Sequence, residues 1–211
     1  MDSYYIYNAL IVNEGEKFSG GVFIREGLIE EIFRCNAPAD YNFPGNVIRI
    51  DARQKYLLPG IIDPHVHFRE PGLEAKGDIY TESRAAVAGG VTSYMEMPNT
   101  VPNATTLDIL EDKYQRAAKK SLANYSFFLG AATNNISEIE HADPEMICGL
   151  KLFMGSSTGN MKVDDPDILE VIFERSPLLM LFMRRMMPSS GKTWSTSGYN
   201  TGRIYLRELT R

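Results

Sequence analysis

Along the first fifty or so positions, apolar residues tend to alternate with polar ones. The runs YYIYNALIVN (4–13), GVFIREGLIEEIF (21–33) and VIRI (47–50) are rich in β-branched and aromatic residues and are separated by turn formers such as Asn13, Gly15, Gly20, Gly21 and Gly27. This predicts a small β-rich module over residues 1–54, with a β-sandwich flank as its expected form. Within it, GVFIREGLIEEI reads as two strands about a tight turn at Glu26 and Gly27.

From Tyr56 the pattern becomes strand, loop, helix, repeated. YLLPGIIDPHVHF, VTSYMEMPN, NYSFFLGAA and ICGLKLFMG read as strands, and DIYTESRAAVAGG and TTLDILEDKYQRAAKKSL as helices. In the second helix Leu107, Leu110, Tyr114 and Ala117 recur at helical spacing, which marks a core stripe. Gly89 and Gly90 are expected to end the first. Apolar strands alternating with amphipathic helices predict an α/β fold with a buried parallel sheet, either doubly wound or a (β/α)8 TIM-like barrel. A complete barrel needs about 250 residues. Only about 155 of the 211 follow the β-module, enough for four βα units and a fifth strand beginning in PLLMLF, so the expectation is half a barrel over 55–179.

Composition narrows the function classes. With 44% hydrophobic and 23% charged residues the chain has the makeup of a folded globular protein. No apolar run is long enough to span a membrane and the N-terminus lacks the features of a signal peptide, so no membrane partner and a cytoplasmic location are expected. Cys35 and Cys148 stand alone and read as reduced, mostly buried thiols. The net charge is −5, but residues 180–211 carry six basic side chains and one acidic, which leaves the first 179 at −10. Those 179 residues hold no basic stripe interleaved with aromatics, so nucleic acid is not an expected partner.

The chemistry gathers at strand ends. His65 and His67 sit two apart at the end of an apolar strand, whose period of two projects both imidazoles to one side, a chelating arrangement. Asp63 and Arg69 flank them, while His141, in HADPE, reads as a solvated loop residue. Arg69 follows in FREPG, where a guanidinium can grip a carboxylate with two hydrogen bonds and so implies an anionic substrate, although a surface salt bridge would also account for it. Asn99, in MPNT, offers an amide that both donates and accepts. Lys151 is a charge embedded in the apolar strand CGLKLFMG, costly unless it is paired or chemically altered. Beside divalent cations its amine would be driven neutral and could capture carbon dioxide as a carbamate.

Taken together, DPHVHFREPGLEAKGDIYTESRAAVAGGVTSYMEMPNTVPN and GLKLFMGSSTGNM closely resemble the dihydroorotases of the amidohydrolase superfamily, over about residues 4–179. The resemblance implies a β-sandwich flank on a metal-dependent (β/α)8 barrel that interconverts dihydroorotate and N-carbamoyl-aspartate in pyrimidine synthesis. It also implies that His65 and His67 are ligands of the more buried of two metal ions, that Lys151 is the carboxylated lysine bridging them, and that Arg69 and Asn99 hold the carboxylate of a small anionic cyclic amide. Imidazole and carboxylate oxygens suit zinc, the expected ion, although manganese or cobalt would also fit. Hydrolysis would then use metal-activated water and no nucleophilic side chain. Allantoinases, dihydropyrimidinases and hydantoinases are enzyme alternatives, and a non-catalytic dihydroorotase-like scaffold is a third. The oligomeric state is left open, a homodimer included.

The resemblance stops near Leu179. The family's later histidines and its catalytic aspartate have no counterpart, and residues 180–211 lack the periodicity of everything before them. Read one base out of frame, permitted codons for MLFMRRMMPSSGKTW can encode AVHAENDAIIRKNL. The expectation is therefore an out-of-frame basic tail, not natively packed, on a chain inactive by itself.

Overall fold

The computed structural model describes residues 2–154 and 160–183. The chain divides into two compact units, Met1–Gly60 and Ile61–Arg211.

The first unit is one five-stranded mixed sheet. β1 (Ser3–Asn13), β2 (Glu16–Arg25) and β3 (Leu28–Arg34) form an antiparallel meander, and β4 (Val47–Asp51) and β5 (Tyr56–Leu57) both pair parallel to β1. The expected turn between β2 and β3 is present. Glu26 and Gly27 both take positive φ, 53° and 82°, the backbone of a two-residue hairpin loop whose twist matches its strands. Among the described residues the expected β-rich module is a single sheet. Its aromatic face, Tyr5, Phe23 and Phe33, is packed by Tyr41 and Phe43 from the stretch between β3 and β4, which carries Pro38, Pro44 and Gly45. The unit also runs past the boundary expected at residue 54, because β5 is bound into its sheet. Cys35, expected to be buried, is exposed just beyond β3, while Cys148 is half-buried.

The second unit is a curled parallel sheet. Its strands stand in chain order: β6 (Ile61–Val66), β7 (Val91–Glu96), β8 (Asn124–Gly130), β9 (Gly149–Phe153) and β10 (Met180–Met183). The single strand expected over YLLPGIIDPHVHF is broken at Leu58, Pro59 and Gly60, where proline cannot donate to a ladder. Helices α1 (Ile79–Ala88), α2 (Leu107–Lys120), α3 (Ile136–Glu140) and α4 (Pro166–Arg175) alternate with the strands. Their starts are written in the sequence. The Asp78 side chain accepts from the Thr81 N–H in a capping box, Thr106 caps α2, and Asp165 caps α4 ahead of Pro166 at its first position. Gly89 closes α1 as expected, followed by Gly90 at φ 90°.

The core lies among the helices and the central strands. Leu110 and Ala117 of α2, Phe127 and Leu129 of β8, and Leu150 and Leu152 of β9 are all buried in it. Burial fades toward β6, where Ile61 and Ile62 are 56% and 60% exposed. The fifth strand expected in PLLMLF stands at Met180–Met183 and pairs in parallel with β9, Leu181 opposite Lys151. The remainder of the expected tail, residues 184–211, lies outside the described residues. No helix among those described is long and apolar enough to cross a membrane.

Candidate metal and substrate site

β6 delivers the histidine pair. His65 lies within the strand and His67 one residue past it, with ring centroids 5.4 Å apart. The Asp63 carboxylate accepts from the His65 N–H at 3.0 Å. Both imidazoles are pushed toward the neutral form. Burial, then the charges of Arg69, His65, Lys151 and Lys113, bring His67 down to about 4. Burial and the Lys151 charge lower His65, against an opposing contribution from Asp63. A neutral imidazole has a free lone pair, the form a metal requires.

Lys151 sits in the middle of β9, a strand buried at every residue, and is itself 1% exposed. Among the described residues it has no carboxylate within ion-pairing distance, and its Nζ lies 5.2 Å from the centre of the Phe153 ring. Burial pushes its amine down to about 8. Two strands separate β6 from β9 in the sheet, yet the Lys151 charge is felt at both histidines.

Arg69 is half-buried in the turn after the pair, with φ at 75°, a conformation uncommon for a residue with a side chain. The salt bridge that would also have accounted for Arg69 is not among the described ion pairs. Asn99 is half-buried in the loop three residues beyond β7. These two loops are locked together. The Val101 N–H donates to the Pro71 carbonyl at 2.9 Å, and Gly72, at φ 87°, packs so close that an added Cβ would come within 2.1 Å of the Val101 carbonyl oxygen.

Three buried ionic residues supporting this region are not singled out by the sequence. Glu96 Oε1 accepts from both the Phe68 and Arg69 N–H groups at 3.1 Å, while Oε2 lies 3.0 Å from Lys113 Nζ. Glu70 accepts from the Ile79 N–H at 3.1 Å and pairs with Lys120 and Arg116. The available signal was Lys113 itself, three residues after Leu110 and four before Ala117 on the apolar stripe.

The structure brings His65, His67 and Lys151 into electrostatic reach, with Arg69 beside His67. Among the described residues no three His, Cys, Asp or Glu side chains group to hold a metal ion. His141 belongs elsewhere, exposed at the end of α3 with Nδ1 2.7 Å from the Ser137 carbonyl. The donor set present, two neutral imidazoles and a buried amine, therefore fits part of a metal centre.

Residues 54–141 match the family described as dihydro-orotase-like. A dihydroorotase of Methanosarcina mazei is 32% identical over 175 residues, 82% of this chain and 37% of the relative. The chain carries a dihydroorotase-like domain. Its relatives are not all named for one reaction. An allantoinase of Streptomyces avermitilis is 34% identical over 57% of the chain and 27% of its own length. Among solved structures, the L-hydantoinase (dihydropyrimidinase) of Arthrobacter aurescens superposes with a TM-score of 0.72 at 27% identity, covering 82% of this chain and 38% of that one. The chain thus spans between about a quarter and two-fifths of these three relatives. The half-barrel is the fold of these amidohydrolases, and the family is metal-dependent.

Proposed function

We propose that this chain supplies part of the hydrolytic centre of a cyclic amidohydrolase that opens the ring amide of dihydroorotate to N-carbamoyl-aspartate. The observation that carries the reading is the grouping of two imidazoles, both lowered toward the neutral form, within electrostatic reach of a buried lysine that has no counter-ion among the described residues. His65 and His67 would hold a zinc ion through their free nitrogens, a donor type that suits it. When bound, zinc would supply Lewis-acid activation of water and of the ring carbonyl. Lys151, lowered to about 8, is neutral in about a tenth of molecules at pH 7, far more often than an ordinary lysine. Loss of one proton leaves the neutral amine, which can add carbon dioxide and release a second proton; the buried cation would thereby become a carbamate anion able to help hold metal. Arg69 would grip the substrate carboxylate with two parallel hydrogen bonds, and the Asn99 amide would orient it.

Cobalt titration of the 211-residue chain, followed by visible absorption, tests the metal site. The expected result is Co2+ binding that is lost in His65→Ala and in His67→Ala. Absence of binding, or binding that survives both substitutions, overturns the reading.

The likeness to L-hydantoinase favours a second reading, a cyclic amide without a carboxylate. Ligand-observed NMR with dihydroorotate and dihydrouracil separates the two. Preferential binding of dihydroorotate, abolished by Arg69→Met, supports the first. Equal binding that Arg69→Met leaves unchanged supports the second.

A further inference from the structure

The turn that follows the histidine pair is unusually constrained. Arg69 sits at φ 75°, and such a conformation persists only where the surroundings hold it. Here two consecutive amides, Phe68 N–H and Arg69 N–H, converge on a single oxygen, Glu96 Oε1, each at 3.1 Å. The other carboxylate oxygen lies 3.0 Å from Lys113 Nζ, and Glu96 and Lys113 are 1% and 0% exposed. Lys113 is fixed in turn, donating to the Met97 carbonyl at 3.3 Å with its Nζ 4.8 Å from the centre of the Phe127 ring. A line of contacts thus runs from α2, through the end of β7, to the turn leaving β6.

A buried ion pair is a poor way to stabilise a fold. Taking both charges out of water costs about what their attraction returns, and apolar replacements of similar volume are often neutral or stabilising. What apolar replacements cannot do is accept two N–H groups. We infer that Glu96, held by Lys113, is a positioning residue: it sets the direction in which the chain leaves His67 and aims Arg69. This rests on the reading of His65, His67 and Arg69 given above. An outer contact of this kind is worth about 10- to 100-fold in metal affinity.

The test uses the 211-residue chain and its Glu96→Leu/Lys113→Met variant, which keeps the apolar volume and removes the acceptor. Thermal unfolding, amide hydrogen exchange at Phe68 and Arg69, and Co2+ affinity are measured in each. The expected result is a melting temperature within a few degrees of the unsubstituted chain, exchange at both amides accelerated at least about tenfold, and Co2+ affinity reduced about 10- to 100-fold. A folded variant in which exchange and affinity are both unchanged overturns the proposal. Glu96→Gln/Lys113→Met keeps one acceptor oxygen and is expected to restore most of both losses; no restoration also overturns it. Should the apolar variant fail to fold, the metal-free unsubstituted chain still decides the matter. Its Phe68 and Arg69 amides must be protected before any metal is added, and exchange at open-loop rates refutes the inference. A chain that binds no Co2+ sinks the metal-site reading alone, leaving exchange at the two amides to judge Glu96.

Discussion

Replacing Gly72 by alanine is expected to damage the second unit more than a left-handed backbone alone would explain. Gly72 and Gly90 share nearly the same φ, 87° and 90°, and differ in surroundings. A Cβ on Gly90 would meet no atom within 4 Å, whereas one on Gly72 would lie 2.1 Å from the Val101 carbonyl oxygen and 2.6 Å from the Val101 Cβ. The positive φ alone costs a residue with a side chain about 1–2 kcal/mol, and Gly90→Ala should cost no more. In Gly72→Ala the 99–103 loop must also move away. Overpacking of this kind adds about 1–3 kcal/mol, and loss of the Val101 N–H to Pro71 hydrogen bond about 1 kcal/mol. Gly72→Ala should therefore be at least about 2 kcal/mol worse than Gly90→Ala. Urea unfolding followed by far-ultraviolet circular dichroism measures the difference. With a slope of about 2 kcal/mol per molar urea, the two midpoints should separate by about 1 M. Equal midpoints, or a lower one for Gly90→Ala, would refute the claim that contact between the two loops, and not φ, makes glycine necessary at position 72.

Two further outcomes follow from the same structure. Asp78→Ala should lower stability by about 1 kcal/mol at neutral pH by removing the cap of α1. The Thr81 N–H holds the Asp78 carboxyl below its usual range, so the cap's contribution is present above the unfolded value of about 3.9 and is lost as pH falls through the folded one. The gap between the two proteins should close in acid; a gap that persists at pH 2 would show that the carboxylate charge contributes nothing. Lys151→Met, in metal-free buffer with a chelator, should unfold at higher urea than the unsubstituted chain, because it removes a buried amine that has no counter-ion among the described residues. A lower midpoint would mean that the amine has a stabilising partner.

Much of this protein is legible in its sequence, for physical reasons that differ by region. The start of α1 is readable because Asp78 is a local signal, and the β2–β3 hairpin because Glu26–Gly27 suits a loop of two positive φ angles. His65 and His67 stood out because a strand's period of two turns sequence spacing into a shared side. Lys151 stood out because its neighbours are apolar. Glu96 did not, since an acid between two methionines at a strand end looks like any polar boundary residue, and its partner comes from the next helix. Lys113 was hidden by its setting, EDKYQRAAKK, which otherwise describes a solvated face. The break at Pro59 comes from a proline that apolar periodicity passes over, whereas the aromatic packing from Tyr41 and Phe43 depends on contacts between distant segments, which periodicity does not encode.

The strand order of the second unit has a consequence for how the chain is made. Because β6, β7, β8, β9 and β10 lie side by side in the order they are translated, each strand emerging from a ribosome finds its partner already formed. Growth proceeds at one margin only, without threading and without waiting for a distant segment. The histidine-bearing β6 is the oldest strand, laid down first and paired on one side by β7, and every later βα unit adds to a template that begins with it.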